Sequence, residues 1–161
     1  MKALFLAAFS TVLAGSAVAD EVLSDCLTAH ILADFEFGEL KPSTFSDKIE
    51  LPVQIDITNN LDFPISGLMM KVSIFGDRPS PLTDSSVQFL ATIDAGLLPG
   101  ETYSVSEPSF LSERVAGFAD AATTLRAEYV VLNASDAQNE PLSLAHRWSS
   151  WGNGLSNESC Q

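Results

Sequence analysis

Basic residues are scarce in this chain, where eight Lys and Arg stand against 21 Asp and Glu for a formal net charge of −13. An acidic surface of this kind repels phosphate backbones and anionic lipid headgroups, so nucleic acids and membrane surfaces are disfavoured as partners. A net negative charge is also explained by solubility alone, without any specific partner. The charge therefore excludes classes of partner without identifying one.

Motifs for common catalytic chemistry are lacking as well. The sequence has no Gly-rich phosphate loop, no dinucleotide fingerprint, no Gly-x-Ser-x-Gly elbow and no Asp-rich calcium loop. We therefore expect no catalytic centre and no cofactor. Two alternatives stay open: a small-ligand or copper-binding protein that uses His30, His146 and Met69, and a hydrolase in which two acidic side chains meet in space.

Cysteine occurs twice, at Cys26 near the start and at Cys160 one residue before the end. Neither cysteine belongs to a Cys-x-x-Cys motif or has a neighbouring histidine, which weakens the alternatives of a redox-active pair and a metal site. In an oxidising compartment, an isolated pair of cysteines predicts a disulfide. We expect a Cys26–Cys160 bridge that ties the two ends of the domain together.

The N-terminus has the pattern of a signal peptide. A positive start at Lys2 is followed by an apolar run too short to span a bilayer, and then by the small-residue stretch "GSAVA". These features predict a signal peptide over residues 1–19, cleaved so that the mature chain begins at Asp20; a retained hydrophobic anchor is the alternative. Because Cys26 follows the charged Asp25, lipidation is not favoured. We expect a periplasmic or secreted protein with a single domain over residues 20–161 and no membrane span after removal of the signal.

Alternation of apolar and polar residues recurs along the mature chain. In the runs Leu27–Phe37 and Ile49–Ile57 the odd positions are apolar, which predicts strands with one buried face and one wet face. Pro52 lacks an N–H, so the second of these strands is expected to lie at a sheet edge or to carry a bulge there. A segment with near-helical spacing, Ser109–Ala122, predicts a short crossover helix. The predicted strands are 27–37, 49–59, 67–75, 87–94, 102–106, 125–133 and 142–148.

One turn can be predicted in detail. In "LLPGETYSV", Pro99 occupies the second position of a turn and Gly100 is free to take positive φ, after which Thr102 begins a strand. Seven short strands with turn chemistry between them predict an all-β fold, an antiparallel sandwich of two sheets.

The stretches "QIDITNNLDFPISGLMMKVSIFG" and "LLPGETYSV" resemble the small immunoglobulin-like domains of bacterial exported proteins, of the FxLYD kind. The resemblance covers roughly Leu51 to Leu132. It implies an immunoglobulin-like sandwich with a binding or spacer role and no catalytic residues. We therefore expect an exported, non-catalytic interaction module whose partner is another envelope or secreted protein.

Two surfaces are candidates for the partner. One is the tail, where Trp148 and Trp151 form an aromatic platform or, alternatively, fill and cap the end of the core. The other is a sheet face carrying apolar residues out of phase with the main core set. These residues are Met69, Phe75, Val130 and Leu132. We expect the crossover segment between Phe110 and Phe118 to cover this face, which leaves the strand edge near Pro52 or the Trp151 segment for the partner.

Overall fold

The fold is mostly β, and its strands form three antiparallel sheets. The computed structural model describes residues 15–89 and 96–142, with side chains from Leu23 onward. In this part of the chain the helices are α1 (Gly15–His30) and α2 (Glu113–Asp120). The strands are β1 (Ile31–Phe37), β2 (Lys41–Pro42), β3 (Ile49–Leu51), β4 (Val53–Asn59), β5 (Ile65–Phe75), β6 (Thr83–Phe89), β7 (Thr102–Ser106), β8 (Ser109–Leu111) and β9 (Arg126–Asp136).

All three sheets and both helices contribute to one hydrophobic core. The first sheet has the strand order β1-β4-β7, the second has the order β6-β5-β9, and a small third sheet has the order β2-β3-β8. Buried side chains of β4, such as Ile55 and Ile57, share one hydrophobic cluster with Met70 and Val72 of β5 and with Val131 of β9. Because alternate side chains of a strand point to opposite faces, each sheet supplies one apolar face to this core.

The predicted strand phases are confirmed where the strands form. In β1 the residue Ile31 is fully buried whereas Asp34 is exposed, and in β4 the odd positions are buried whereas Gln54 is exposed. The 102–106 strand has the expected bounds. The strand expected at 87–94 begins earlier, at Thr83, and its residues beyond Phe89 lie outside the described residues. Of the strand expected at 142–148, the structure describes Leu142, which is buried.

The predicted start of the first strand is wrong, because Leu27 to His30 form the last turn of α1. Two hydroxyl side chains explain why the chain stays helical here. Ser24 Oγ donates to the carbonyl of Val131 at 2.5 Å, and Thr28 Oγ1 accepts from the N–H of Val131 at 2.8 Å. Because Ser24 and Thr28 are four residues apart, their hydroxyls lie on one helix face. Together they bind the carbonyl and the N–H of Val131, which point outward from the edge of β9.

A tyrosine joins the edges of the two large sheets on the same side. The hydroxyl of Tyr129 in β9 accepts from the N–H of Ala33 at 3.1 Å and donates to the carbonyl of Ile31 at 3.2 Å. Its ring also packs on Phe35, with the ring centroids 5.9 Å apart. The β1 and β9 edges are therefore closed against each other and against α1.

The strand expected at 49–59 is interrupted at Pro52 and continues as β3 and β4. Each half lies in the middle of its sheet, so the expectation of an edge strand is wrong, and in place of the expected bulge the strand breaks at Pro52 and changes sheet. The ring nitrogen of proline carries no hydrogen, and a ladder cannot be continuous there. The Pro52 carbonyl still accepts from the N–H of Gly38 at 2.9 Å.

The segment expected to form one crossover helix is divided. Its first residues form β8, which pairs with β3, and the helix begins only at Glu113. Ala116 and Ala119 are the buried side chains of this helix. The helix predicted over Ser109–Ala122 is therefore shorter than expected, because its first three residues pair with β3 as a strand.

Asn59 connects two turns from inside the protein. Its side chain is fully buried, and Nδ2 donates to the carbonyls of Phe63 at 2.9 Å and Leu97 at 2.8 Å. Its Oδ1 accepts from the N–H of Leu61 at 3.0 Å. The backbone carbonyl of Asn59 accepts from Gly100 N–H at 2.6 Å. The Asn59 side chain thus links the turn at residues 60–64 to the segment around Leu97 by hydrogen bonds.

The turn predicted at Pro99-Gly100 is confirmed. The N–H of Glu101 donates to the Leu98 carbonyl at 3.0 Å, and Gly100 has φ +78, the value that the third position of a type II turn requires. Glu101 adds a second contact, because its Oε2 accepts from the N–H of Leu98 at 3.0 Å. Gly96, with φ +77, is constrained more tightly: a Cβ there would lie 2.6 Å from the carbonyl oxygen of Ile65.

Candidate partner-binding surfaces

Three apolar side chains are exposed together on the outward face of the second sheet. Met69 on β5 is 39 % exposed, and Val130 and Leu132 on β9 are each 42 % exposed. We call these three residues the Met69 patch. Neighbouring exposed apolar side chains of this kind are a feature of interaction sites.

A pair of bulges places Leu132 in this patch. Met70 pairs with Val131 and Met69 pairs with Asn133, so Leu132 is an extra residue of β9 that has no partner on β5. A second shift, between Ile65 and Gly67, makes Ser66 an extra residue of β5 and restores the original register. Bulges redirect side chains and increase local twist. Here the first bulge turns both Leu132 and Asn133 toward solvent.

Lys71 lies in the middle of the outward face, between Val130 on one side and Ser86 on the other. It is exposed, and the ion pairs found within residues 23–89 and 96–142 do not involve it. A cation beside an apolar cluster is a distinctive feature in a chain with a net charge of −13. The outward face therefore offers apolar contact beside the positive charge of Lys71.

Phe75, expected to belong to this face, does not contribute to the patch. Its ring is only 9 % exposed, because the guanidinium of Arg126 lies 4.2 Å from the ring centroid. The expected cover by the crossover segment is also wrong. Phe118 is half-buried beneath the guanidinium of Arg78, 4.0 Å from its centroid, while Leu132 stays open to solvent.

The loop between α2 and β9 is held by hydrogen bonds to Asp77 in addition to its apolar contacts. The Asp77 carboxylate accepts from the N–H groups of Thr123 at 2.9 Å and Thr124 at 3.4 Å. The hydrogen bond from Thr123 is the main reason that the pKa of Asp77 lies below its usual 3.8. This anchor fixes α2 at the end of the second sheet, away from the Met69 patch.

A groove follows the line along which the first sheet breaks at Pro52. It has a volume of about 440 Å³, and its wall includes Glu36, Gln54 and Glu107. The ammonium of Lys41 lies 2.9 Å from a carboxylate oxygen of Glu50 on the same wall. The residues that line the groove include three glutamates, one lysine, one glutamine, one serine and two prolines. None of these lining residues is a histidine.

Two carboxylates are brought together elsewhere on the first sheet. Asp34 and Asp56 are direct cross-strand partners, and Oδ1 of Asp56 is buried without a hydrogen-bond partner in the described part of the chain. Like charges at directly opposite positions repel each other. Neither carboxylate is among the residues that line the groove.

Several predicted site residues lie outside the described residues. These are Trp148, Trp151, His146 and Cys160. Cys26 is 5 % exposed in α1, and the Cys26–Cys160 bridge stays a prediction. His30 ends α1, and its carbonyl accepts from Asn60 N–H at 2.9 Å. Among the described residues no group of three or more His, Cys, Asp and Glu side chains has the arrangement of a metal site, so a copper site depends on His146.

The membrane and family comparisons add little to this geometry. In residues 15–89 and 96–142, no helix combines the length and apolar character needed to cross a bilayer. No family model and no curated protein matches the chain. The crystal structure of Northeast Structural Genomics Consortium target SoR45 is similar over 70 % of this chain and 76 % of its own, with 13 % sequence identity and a TM-score of 0.39.

Proposed function

We propose that this protein is an exported, non-catalytic interaction module that binds another envelope or secreted protein through the Met69 patch. In this proposal the two large sheets form an immunoglobulin-like sandwich, closed at its ends by the Cys26–Cys160 bridge. The observation that carries the proposal is the joint exposure of Met69, Val130 and Leu132 on one sheet face. Burying such a patch against a partner is favourable by about 25 cal/mol for each Å² of apolar area removed from water.

The charge beside the patch limits the kinds of partner surface that would be complementary to it. Lys71 is a cation on this face and adjoins Val130 across the β5–β9 ladder, whereas the guanidinium of Arg126 on the same face is paired with Glu128. A partner surface that combines apolar side chains with a carboxylate complements it, because an interfacial charge without a counter-charge is costly to desolvate. The partner is therefore expected to present an apolar surface with at least one acidic residue.

The proposal is tested by comparing two exposed leucines of similar accessibility. Leu132 is 42 % exposed within the patch, and Leu32 is 45 % exposed on the outward face of the first sheet. Mature wild-type protein, Leu132→Asp and Leu32→Asp are each immobilised and exposed to native envelope extract, and the retained proteins are measured by mass spectrometry.

Leu132→Asp is expected to reduce the retained partner at least tenfold, which corresponds to about 1.4 kcal/mol of binding free energy. Leu32→Asp is expected to retain it. Retention that is equal for both variants, or a wild type that retains nothing beyond Leu132→Asp, contradicts the proposal. Circular dichroism of both variants checks that they are folded.

A further inference from the structure

The two sides of the core differ in how they are closed. On one side Tyr129 and the hydroxyls of Ser24 and Thr28 join the edges of β1 and β9. On the other side the outer strands are β6 of the second sheet and β7 of the first. Within the described residues each of these two strands pairs with one neighbour only.

A cleft opens into the core on this second side, and we call it the β6 cleft. It has a volume of about 240 Å³. Its floor is built from both sheets: Val53 and Ile55 come from β4, and Val72 and Ile74 come from β5. These four side chains are at most 3 % exposed, so the cleft reaches side chains that belong to the core itself.

The sequence of β6 explains why the cleft is not filled. Thr83 and Ser85 pair with Ile74 and Val72, and directly opposite residues of a ladder share a face, so both hydroxyl side chains point inward. Ser85 is nevertheless exposed, because it is too short to close the gap between the sheets. Farther along the strand, Phe89 occupies an inward position and is buried. The cleft thus extends along β6 from Thr83 to Val87 and ends before Phe89.

The outer edge of β6 next to the cleft pairs with no strand among residues 15–89 and 96–142. An outer strand presents N–H and C=O groups that can pair with an added strand, and proteins commonly protect such edges with lysine, proline or a covering element. The edge of β9 is protected in this way by α1, whereas the β6 sequence, TDSSVQF, contains one charge, Asp84, and no proline. An extended segment can therefore pair with β6 and place an alternate side chain into the cleft.

We propose that the β6 cleft binds an extended segment of a partner protein, which adds a strand at β6 and inserts one large apolar side chain between the sheets. The volume of about 240 Å³ favours this occupant, since drug-sized ligands occupy pockets of roughly 300–1,000 Å³. Glu107 is the one charged residue among those that line the cleft. A lysine or arginine beside the inserted side chain would be complementary to it.

The points at which the described ranges end lie away from the cleft. The described chain stops at Phe89 and resumes at Gly96, and Phe89 pairs with Leu68 at the far end of β6 from Ser85. The second described range ends at Leu142, whose N–H donates to the carbonyl of Ala134 on β9, across the second sheet from β6. The cleft is also separate from the Met69 patch. The proposal for the cleft and the proposal for the patch can therefore be refuted independently of each other.

The test uses adjacent serines on opposite faces of one strand. Ser85→Leu fills the cleft from within, while Ser86→Leu adds the same side chain to the outward face. The probe is the synthetic peptide Lys-Thr-Val-Thr-Leu-Thr-Val-Thr-Lys, whose palindromic pattern suits either strand direction. Binding is measured by fluorescence anisotropy up to about 1 mM peptide, and protection of β6 amides by hydrogen exchange. Control peptides carry Asp at the central position or Pro beside it.

The wild type and Ser86→Leu are expected to bind within twofold of each other, with protection of β6 amides. Ser85→Leu, the Asp peptide and the Pro peptide are each expected to weaken binding at least tenfold. Glu107→Gln is expected to weaken binding of the lysine-flanked peptide but not of its glutamine-flanked counterpart. The proposal is overturned if the leucine peptide does not bind, if Ser85→Leu binds it as well as Ser86→Leu does, or if decanoate alone occupies the cleft.

Discussion

Replacing Asn59 with alanine tests whether one buried amide holds two turns together. The substitution removes hydrogen bonds to the Phe63 and Leu97 carbonyls and to the Leu61 N–H, in a position that is fully buried. A hydrogen bond contributes about 1 kcal/mol net, and a buried group left unpaired costs more. We therefore expect Asn59→Ala to lower the free energy of unfolding by about 3 kcal/mol, a large part of the 5–15 kcal/mol that domains typically possess.

Urea denaturation followed by circular dichroism measures this loss. With a slope of about 2 kcal/mol per M urea, the midpoint should fall by roughly 1.5 M. Asn59→Asp should be at least as destabilising, because a carboxylate brings oxygen rather than N–H toward the two carbonyls. The matched control is Thr58→Ala, which removes an exposed hydroxyl contact to Thr102 and should cost about 0.5 kcal/mol or less. A loss below about 1 kcal/mol for Asn59→Ala would refute the reasoning.

Three further predictions concern single residues. Gly96→Ala should destabilise by about 3 kcal/mol and Gly100→Ala by about 1 kcal/mol in the same urea assay, because both have positive φ but only the first brings a Cβ against backbone; equal losses would contradict this. Ile55→Asp should abolish cooperative unfolding, while Asp56→Ala should change stability by only tenths of a kcal/mol, since it removes a carboxylate with an unpaired buried oxygen. The pKa of Asp77 measured by NMR should lie below 3.8, so its contribution to stability is present above pH 3.8 and is lost as the pH falls through the lower folded-state pKa; an unshifted titration would show that its backbone contacts are absent.

Much of the strand pattern could be predicted because alternation is local. Ile55 and Ile57 alternate with polar neighbours, and the same rule correctly assigned Tyr129 and Val131 to the inward face of β9. The type II turn was predictable for a similar reason, since Pro99 and Gly100 each have a conformational preference of their own. These features depend on neighbouring residues alone.

Features that depend on distant residues were missed. The alternation of Leu27 with its neighbours continues into Ile31, so nothing local shows that Leu27 is helical; the cause is Val131, whose backbone groups bind Ser24 and Thr28. In β9 the bulge at Leu132 changes the phase of Ala134, which alternation from Val131 does not predict.

The candidate surfaces were predicted in part. Met69, Val130 and Leu132 were identified by their phase, whereas Phe75 was misassigned because its cover comes from Arg126, at the opposite position of the neighbouring strand. The β6 cleft was missed because a serine at an inward position, such as Ser85, looks like a loop residue in sequence. An inward residue too small for its place becomes visible only when the opposite wall is known.

The closure of β1 against β9 has a consequence for the order in which the chain folds. The contacts between Ser24 and Val131, and between Ile31 and Tyr129, join residues 107 and 98 positions apart. Contacts this distant slow folding, because a long loop must close before they form. A chain emerging N-terminus first therefore carries the open edges of β1 and β5 until β9 arrives, and that interval is when it most needs protection from aggregation.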